Sequence, residues 1–347
     1  MKILTDKKKI DEVLTRGVDK IYPTKETLAA RMAKGPIKLY LGVDPTGGDL
    51  HIGHSVALRK LEQFRRLGHK VILLIGSFTA RIGDPSGKSA SRKPLTKEQV
   101  LANAKDYKKQ ASKVLNFDDR ANPVEMRMNG EWWDKMFYGD FLKIAGHFTV
   151  QQLLERDMFE RRLKEGQPIT MPEILYPVMQ GYDSVALTVD AELGGTDQTF
   201  NMLVGRALMK ETLGKEKFVI TVPILEDSRG VKIGKTEGNV IALAAPPDDL
   251  FGKIMSLGDD VIVKCFDLCT DVPSGEVREI ERALLGGANP RDFKMRLAEE
   301  IVKMYHGAAT ARDAAEEFVA VHRGHTAPTK NFWWPSGSPK ASPRRGR

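Results

Sequence analysis

Cysteine is nearly absent from this chain. The 347 residues contain two, Cys265 and Cys269, and no further thiol exists to complete a thiolate metal site or a disulfide framework. Lying four apart in the apolar run VIVKCFDLC, they read as two buried thiols on one helix face, in a protein that works in a reducing compartment or needs no disulfides. Long hydrophobic runs are missing too. The start, MKILTDKKKIDEVLTRG, lacks the apolar centre of a secretory signal, and no stretch approaches the length of a membrane span. The expected location is cytoplasmic, with no membrane partner. Nor does the sequence offer a Ser/His/Asp or Cys/His set for covalent catalysis. Charge of one sign does not dominate: 54 basic and 46 acidic residues are interspersed, for a net charge of +8. That balance admits a polyanionic partner without requiring one.

What is present alternates. Residues 1–36 read as two short helices, with Thr24 capping the second and Gly35 ending it. IKLYLGVD (37–44) reads as a buried strand. Residues 51–67 place Ile52, Val56, Leu61 and Phe64 on one helical face, and VILLIGSF (71–78) reads as a strand buried on both sides. Strand, helix, strand makes a βαβ unit. The stretch 96–165 is polar and helical and leaves the alternation. It resumes with strand 186–194, helix 196–212 and strand 217–225. The expectation is an α/β fold, a Rossmann-like parallel sheet with helices on both faces, spanning 37–245 and split by a helical insertion at about 96–185. An all-α segment, 246–323, follows, with Asn289-Pro290 starting one of its helices. Residues 324–347 contain no acid and read as a disordered basic tail, with Trp333 and Trp334 available to stack on bases.

The chemistry-bearing residues gather at strand ends. Asp44-Pro45-Thr46 precedes His51-Ile52-Gly53-His54, where a strand turns into a helix. Two imidazoles three apart could be metal ligands, but no third ligand stands at a recognisable spacing, so no protein-held metal is expected. A glycine in the first helical turn instead lets a nucleotide approach the backbone, beside free amides that favour phosphate. Lys232-Ile233-Gly234-Lys235-Thr236 follows the last strand among glycines. A mobile cationic loop at the carboxyl edge of a parallel sheet suits phosphates better than solvent. Asp84, in Arg81-Ile82-Gly83-Asp84-Pro85-Ser86-Gly87-Lys88, could bind an ammonium there. Tyr176, Gln180 and Asp183 share one helix face at i, i+4, i+7, a polar stripe that would be costly to bury unless a ligand pairs with it. Gly194-Gly195-Thr196-Asp197-Gln198 adds a carboxylate and an amide at the same edge.

YLGVDPTGGDLHIGH, IGDPSGK, YPVMQGYDS, ELGGTDQTFN and KIGKTEGN, in this order, resemble the bacterial tyrosyl-tRNA synthetases, which are class I aminoacyl-tRNA synthetases. The resemblance runs from about residue 10 to 322. It implies a ligase that joins L-tyrosine to tRNA(Tyr) with ATP as substrate and Mg2+ accompanying it, in a homodimer built on the 96–185 insertion. It implies that Tyr40 and Asp183 hold the phenol, that Tyr176, Asp84 and Gln180 hold the α-ammonium, and that Gln198 lies near the carboxylate. Asp44, Gly53, His54, Gly195 and Asp197 would contact the nucleotide. Thr46 and His51 would meet the leaving phosphates, with Lys232, Lys235 and Thr236 closing over them. The 246–323 helices would face the anticodon side. Two departures stand out: the lysine loop reads KIGKT where the family's nominal form is KMSKS, and the tail resembles nothing in the family, so the expectation is a member without the usual terminal RNA-binding domain. The rival expectation is a synthetase fold kept as a catalytically reduced RNA-binding protein.

Overall fold

The computed structural model describes residues 3–86, 94–233 and 239–322. Lys235, Thr236 and the 324–347 tail therefore lie outside the described residues. Six strands form one sheet in the order β1-β6-β5-β2-β3-β4. At its centre β2 (Lys38–Val43) pairs in parallel with β3 (Lys70–Ile75). Leu39, Tyr40 and Leu41 of β2 and Val71 to Ile75 of β3 are all buried, as continuous apolar strands covered on both faces must be. On the other side of β2 come β5 (Ala191–Gly195) and β6 (Phe218–Val222), both parallel. The chain thus leaves β2 toward β3 on one side and later lays β5 on the other. A crevice at the carboxyl ends of β2 and β5 results, and ligands of such sheets bind there.

Three elements differ from the sequence expectation. Lys20–Tyr22 forms β1, antiparallel to β6. Three residues are too few for any periodicity, and the strand exists because Thr221 takes its backbone: the Lys20 amide donates to Thr221 Oγ1 at 2.9 Å. Glu125–Met128 forms β4, parallel to β3, inside the stretch read as a helical insertion. The α/β alternation therefore continues past β3, and the insertion supplies one edge of the sheet. EMRM hides this because an edge strand tolerates, and is protected by, exposed charge. The third strand read from sequence starts late. Residues 186–187 end the helix Met171–Leu187, Thr188 reverses the chain at φ 49°, and β5 begins at Ala191.

Two helices carry the crevice walls. Ile52–Arg66 is fixed from behind by Lys60, whose ammonium donates to the Val13 and Arg16 carbonyls at 2.8 and 2.6 Å. Arg59 pairs with Asp271 across to the C-terminal helices. Met171–Leu187 packs on Thr199–Leu213 so closely that a Cβ at Gly181 would lie 3.0 Å from the Gly205 nitrogen. After β6 the α-helices Pro247–Met255, Ile262–Cys269, Ser274–Leu285, Pro290–His306 and Ala308–Val321 follow without a strand among the described residues. Asn289 caps the fourth of these through the Arg291 amide. Cys265 and Cys269 are buried and unbonded to each other. Among the described residues no helix is long and apolar enough to cross a membrane.

Candidate active site

The loop after β2 carries Asp44, and its carboxylate is held on both oxygens. Oδ2 accepts from the Tyr176 hydroxyl at 2.8 Å and Oδ1 from Thr79 Oγ1 at 2.7 Å. Asn129, at the end of β4, donates to the same threonine at 2.9 Å and to Asp183 Oδ2 at 3.2 Å. Asp183 Oδ1 accepts from the indoles of Trp132 and Trp133 at 2.9 and 2.8 Å. One polar chain thus runs from Tyr176 through Asp44, Thr79 and Asn129 to Asp183. Gly76 makes it possible, since a Cβ there would stand 1.8 Å from Asp44 Oδ1. The family resemblance implies Asp44 for the nucleotide and Tyr176 for the ammonium. In the fold they touch each other.

A second polar chain runs from Asp84. Gln198 Nε2 donates to Asp84 Oδ2 at 2.7 Å, while Gln198 Oε1 accepts from Asn201 Nδ2 at 3.0 Å. Asn201 Nδ2 also meets Gln180 Oε1 at 3.0 Å, and Gln180 Nε2 donates to Glu192 Oε1 at 3.0 Å. Tyr40 is fully buried, with its hydroxyl 3.0 Å from Ser184 Oγ beside that chain. Burial, then the nearby Glu192 and Asp183, push the Tyr40 phenol up; burial, then Asp44, do the same at Tyr176. Both hydroxyls therefore remain protonated donors. The two polar chains bring together Tyr40 within β2, Asp84 after β3, Gln198 after β5, and Tyr176, Gln180 and Asp183 on the helix Met171–Leu187.

The histidine motif and the first residues of the lysine motif meet at the start of the Ile52 helix. The His51 amide donates to His54 Nδ1 at 3.1 Å, and the two rings lie 3.8 Å apart. A Cβ on Gly53 would be 3.0 Å from the His51 ring and 3.1 Å from the Ile233 carbonyl. A side chain at Gly53 would press on Ile233, the last described residue of the lysine loop before Lys235. Both ends of that loop are pinned. The Ile233 amide donates to Leu225 at 2.9 Å on one side, and the Ile52 amide donates to Ile241 at 2.8 Å on the other. Lys232 pairs with Asp197 at 2.7 Å, just after Gly195. Thr46 is exposed on the loop between Asp44 and His51. Among the described residues no three His, Cys, Asp or Glu side chains cluster as metal ligands.

Sequence reasoning missed three groups. Asn129, Trp132 and Trp133 escaped because β4 did. Asn103, Tyr107 and Gln110 donate to the carbonyls of Pro45, Gly47 and Gly48 at 2.9, 2.6 and 2.7 Å, shaping the Asp44–Leu50 loop. Their i, i+4, i+7 spacing was a usable signal, the same one that picked out Tyr176, Gln180 and Asp183. Arg156 stacks on Phe159 and Phe200 and donates to Ser86 Oγ at 2.7 Å, two residues from Asp84.

Burial raises the Asp183 carboxyl to about 7, against the pull of Trp133, Asn129 and Trp132, which favour the ionised form. On the expectation that Asp183 accepts from the phenol, the ionised carboxylate is the stronger acceptor, so kcat/KM for tyrosine is expected to climb by at most about tenfold per pH unit below pH 7 and level off above it. Stability has the opposite sign. The fold holds a proton that the unfolded chain, at its ordinary 3.8, releases. The unliganded protein should therefore lose thermal stability as pH rises through that interval. Pyrophosphate exchange and melting curves across pH, with Asp183→Asn as the non-titrating control, check both.

Residues 32–323 match the family of tRNA synthetases class I (W and Y). The chain is 48% identical over 312 residues to a tyrosine–tRNA ligase of Thermotoga maritima, covering 89% of this chain and 77% of that protein. It is 47% identical over 317 residues to the one of Methylococcus capsulatus, covering 91% and 79%. In fold it is similar to a C-terminally truncated mitochondrial tyrosyl-tRNA synthetase of Aspergillus nidulans, with a TM-score of 0.76 at 21% identity over 90% of this chain and 94% of that one. The Archaeoglobus fulgidus tyrosyl-tRNA synthetase complexed with L-tyrosine gives 0.69 at 20% over 89% and 100%. A parallel sheet with its polar side chains gathered at the switch point, and a family match spanning both phosphate motifs, lead to one assignment: the chain belongs to the class I tyrosyl-tRNA synthetases.

Proposed function

We propose that the two polar chains divide the reading of tyrosine between them while the histidine and lysine motifs handle ATP. Asp183 and Tyr40 face the phenol, one as acceptor and one as donor. Asp84 and the Gln180 carbonyl oxygen supply acceptors for the α-ammonium, with Tyr176 alongside, and Gln198 lies near the carboxylate. The tyrosine carboxylate, ionised at neutral pH, attacks the α-phosphorus of ATP. A P–O bond forms, pyrophosphate leaves and tyrosyl-adenylate remains. A ribose hydroxyl of the tRNA terminal adenosine then attacks the activated carbonyl, and AMP leaves. No side chain becomes covalently attached, so catalysis consists of orientation and charge stabilisation. His51, His54, Thr46, Lys232, Lys235 and Thr236 supply the charge stabilisation. Mg2+ arrives on the ATP phosphates, where it neutralises charge. Gly53, Gly195 and Asp197 border the nucleotide, and the helices from Pro247 to Val321 face the anticodon arm.

The observation that carries this reading is the buried Asp183, held by three donors, in one polar chain and Asp84 in the other, two carboxylates proposed to serve the two ends of one amino acid. Tyrosine-dependent exchange of labelled pyrophosphate into ATP, without tRNA, is expected. Absence of exchange alongside intact tRNA binding would identify a catalytically silent RNA-binding protein instead.

The functional unit is a homodimer. Phe137 and Tyr138 are 79% and 76% exposed, Leu142 and Val150 are also exposed, and the helix Tyr138–Ala145 buries none of its residues within the chain. An apolar surface of that kind is characteristically an interface, and a second copy supplies the same patch in return. Phe137→Asp with Leu142→Glu is expected to yield monomers in sedimentation equilibrium, where the parent chain sediments as a dimer.

A further inference from the structure

Two residues adjoining the second polar chain have no role in the reaction above. Glu192 is 1% exposed and Lys217 fully buried, a costly placement for two charges unless their geometry is used. Lys217 Nζ donates to Glu192 Oε2, to Ser184 Oγ at 2.7 Å and to the Met202 carbonyl at 3.1 Å. Burial pushes the Lys217 ammonium down while Glu192 pulls it back up, and three acceptors match the three donors of the charged form, which pairs the lysine with a carboxylate. Gly205 leaves room for it, since a Cβ there would come within 2.5 Å of Nζ.

A carboxylate only accepts. Gln180 must therefore turn Nε2 toward Glu192 and Oε1 away, toward Asn201. At the far end Asp84, also a carboxylate, turns Gln198 Nε2 toward itself and Oε1 toward the same Asn201 nitrogen. The two terminal charges thus aim both glutamine carbonyls at one point. We propose that Lys217 and Glu192 are positioning residues for recognition of the amino-acid ammonium: by keeping a carboxylate against Gln180, they fix the direction of the amide chain that ends on Asp84. The proposal rests on the reading of Asp84, Gln180 and Gln198 as the ammonium and carboxylate site.

Lys217→Met leaves Glu192 buried without its counter-charge, so the carboxyl takes up a proton and becomes a donor toward Gln180. The amide reverses, and its nitrogen then opposes Asn201 Nδ2. KM for tyrosine is expected to rise about tenfold or more, with KM for ATP and kcat changed by less than about twofold. In the double variant Lys217→Met/Glu192→Gln the new amide offers its carbonyl to Gln180, restoring the original direction with no buried charge. Its tyrosine KM should return to within about threefold of the parent. A double variant as impaired as the single, a KM for ATP that rises equally, or a double variant that does not fold would each assign the pair to stability and overturn the proposal. Gln180→Leu is the control: if it leaves tyrosine KM unchanged, the reading of the site fails, whatever the pair does.

Discussion

Replacing Asp183 with Ala is expected to lower kcat/KM for tyrosine by about 10³-fold or more while leaving KM for ATP unchanged, because a site built to pair a hydroxyl depends on its buried partner. Tyrosyl-tRNA synthetases are themselves the measured example of that asymmetry, rejecting phenylalanine by roughly 10⁵, a family magnitude and not one obtained from this chain. In this fold Asp183 gathers two indole N–H groups and one amide at 2.8 to 3.2 Å. Truncation therefore removes the acceptor proposed for the phenol and strands three buried donors, each costing roughly 1–3 kcal/mol. Discrimination against phenylalanine should collapse through the loss of tyrosine use, not through a gain of phenylalanine use. Stability should fall as well, so exchange must be measured below the variant's own melting range. An Asp183→Ala chain that activated tyrosine normally and still ignored phenylalanine would move the phenol pocket elsewhere.

Lysine-loop substitutions are expected to act at a different moment. Lys235→Ala should slow adenylate formation by about 10²–10³-fold, the usual effect of deleting one preorganised charge stabiliser, and Lys232→Ala should act in the same direction. Equilibrium affinity for tyrosine should scarcely move in either variant. Lys232 is 54% exposed and paired with Asp197, and an exposed pair of that kind contributes at most about 1 kcal/mol. Its ammonium can exchange Asp197 for a phosphate at little cost. Single-turnover adenylate formation, measured beside tyrosine binding, separates the two quantities. Collapse of tyrosine binding with an unchanged activation rate would reverse the assigned roles.

Much of this architecture was legible because its causes are local. The runs around β2 and β3 are apolar on both faces, Thr24 and Asn289 accept from amides of their own first turns, and βα turns announce themselves with glycine and proline. What was hidden depends on partners distant in sequence. β1 and β4 are strands because β6 and β3 lie beside them. KIY and EMRM carry no pattern of their own. The polar stripe Tyr176, Gln180 and Asp183 was visible as a stripe, but spacing cannot say that Tyr176 would bond to Asp44, 132 positions away. Nor could it say that Tyr40 would turn its hydroxyl toward Ser184. Trp132 and Trp133 offered the best unused clue. Two adjacent indoles in a polar stretch need acceptors if buried, and a carboxylate at the heart of a pocket is one.

The chain from Tyr176 to the tryptophans and the chain from Asp84 to Lys217 have no side chain in common. Tyr40 nevertheless meets the second chain through Ser184, which Lys217 also holds, so only the Asp183 side of the proposed phenol grip is separable from the machinery for what all amino acids share. Substitutions confined to Asn129, Trp132, Trp133 and Asp183 could retarget the enzyme to tyrosine analogues with altered rings, leaving Asp84, Gln180 and Gln198 to present any α-amino acid to ATP in the same pose.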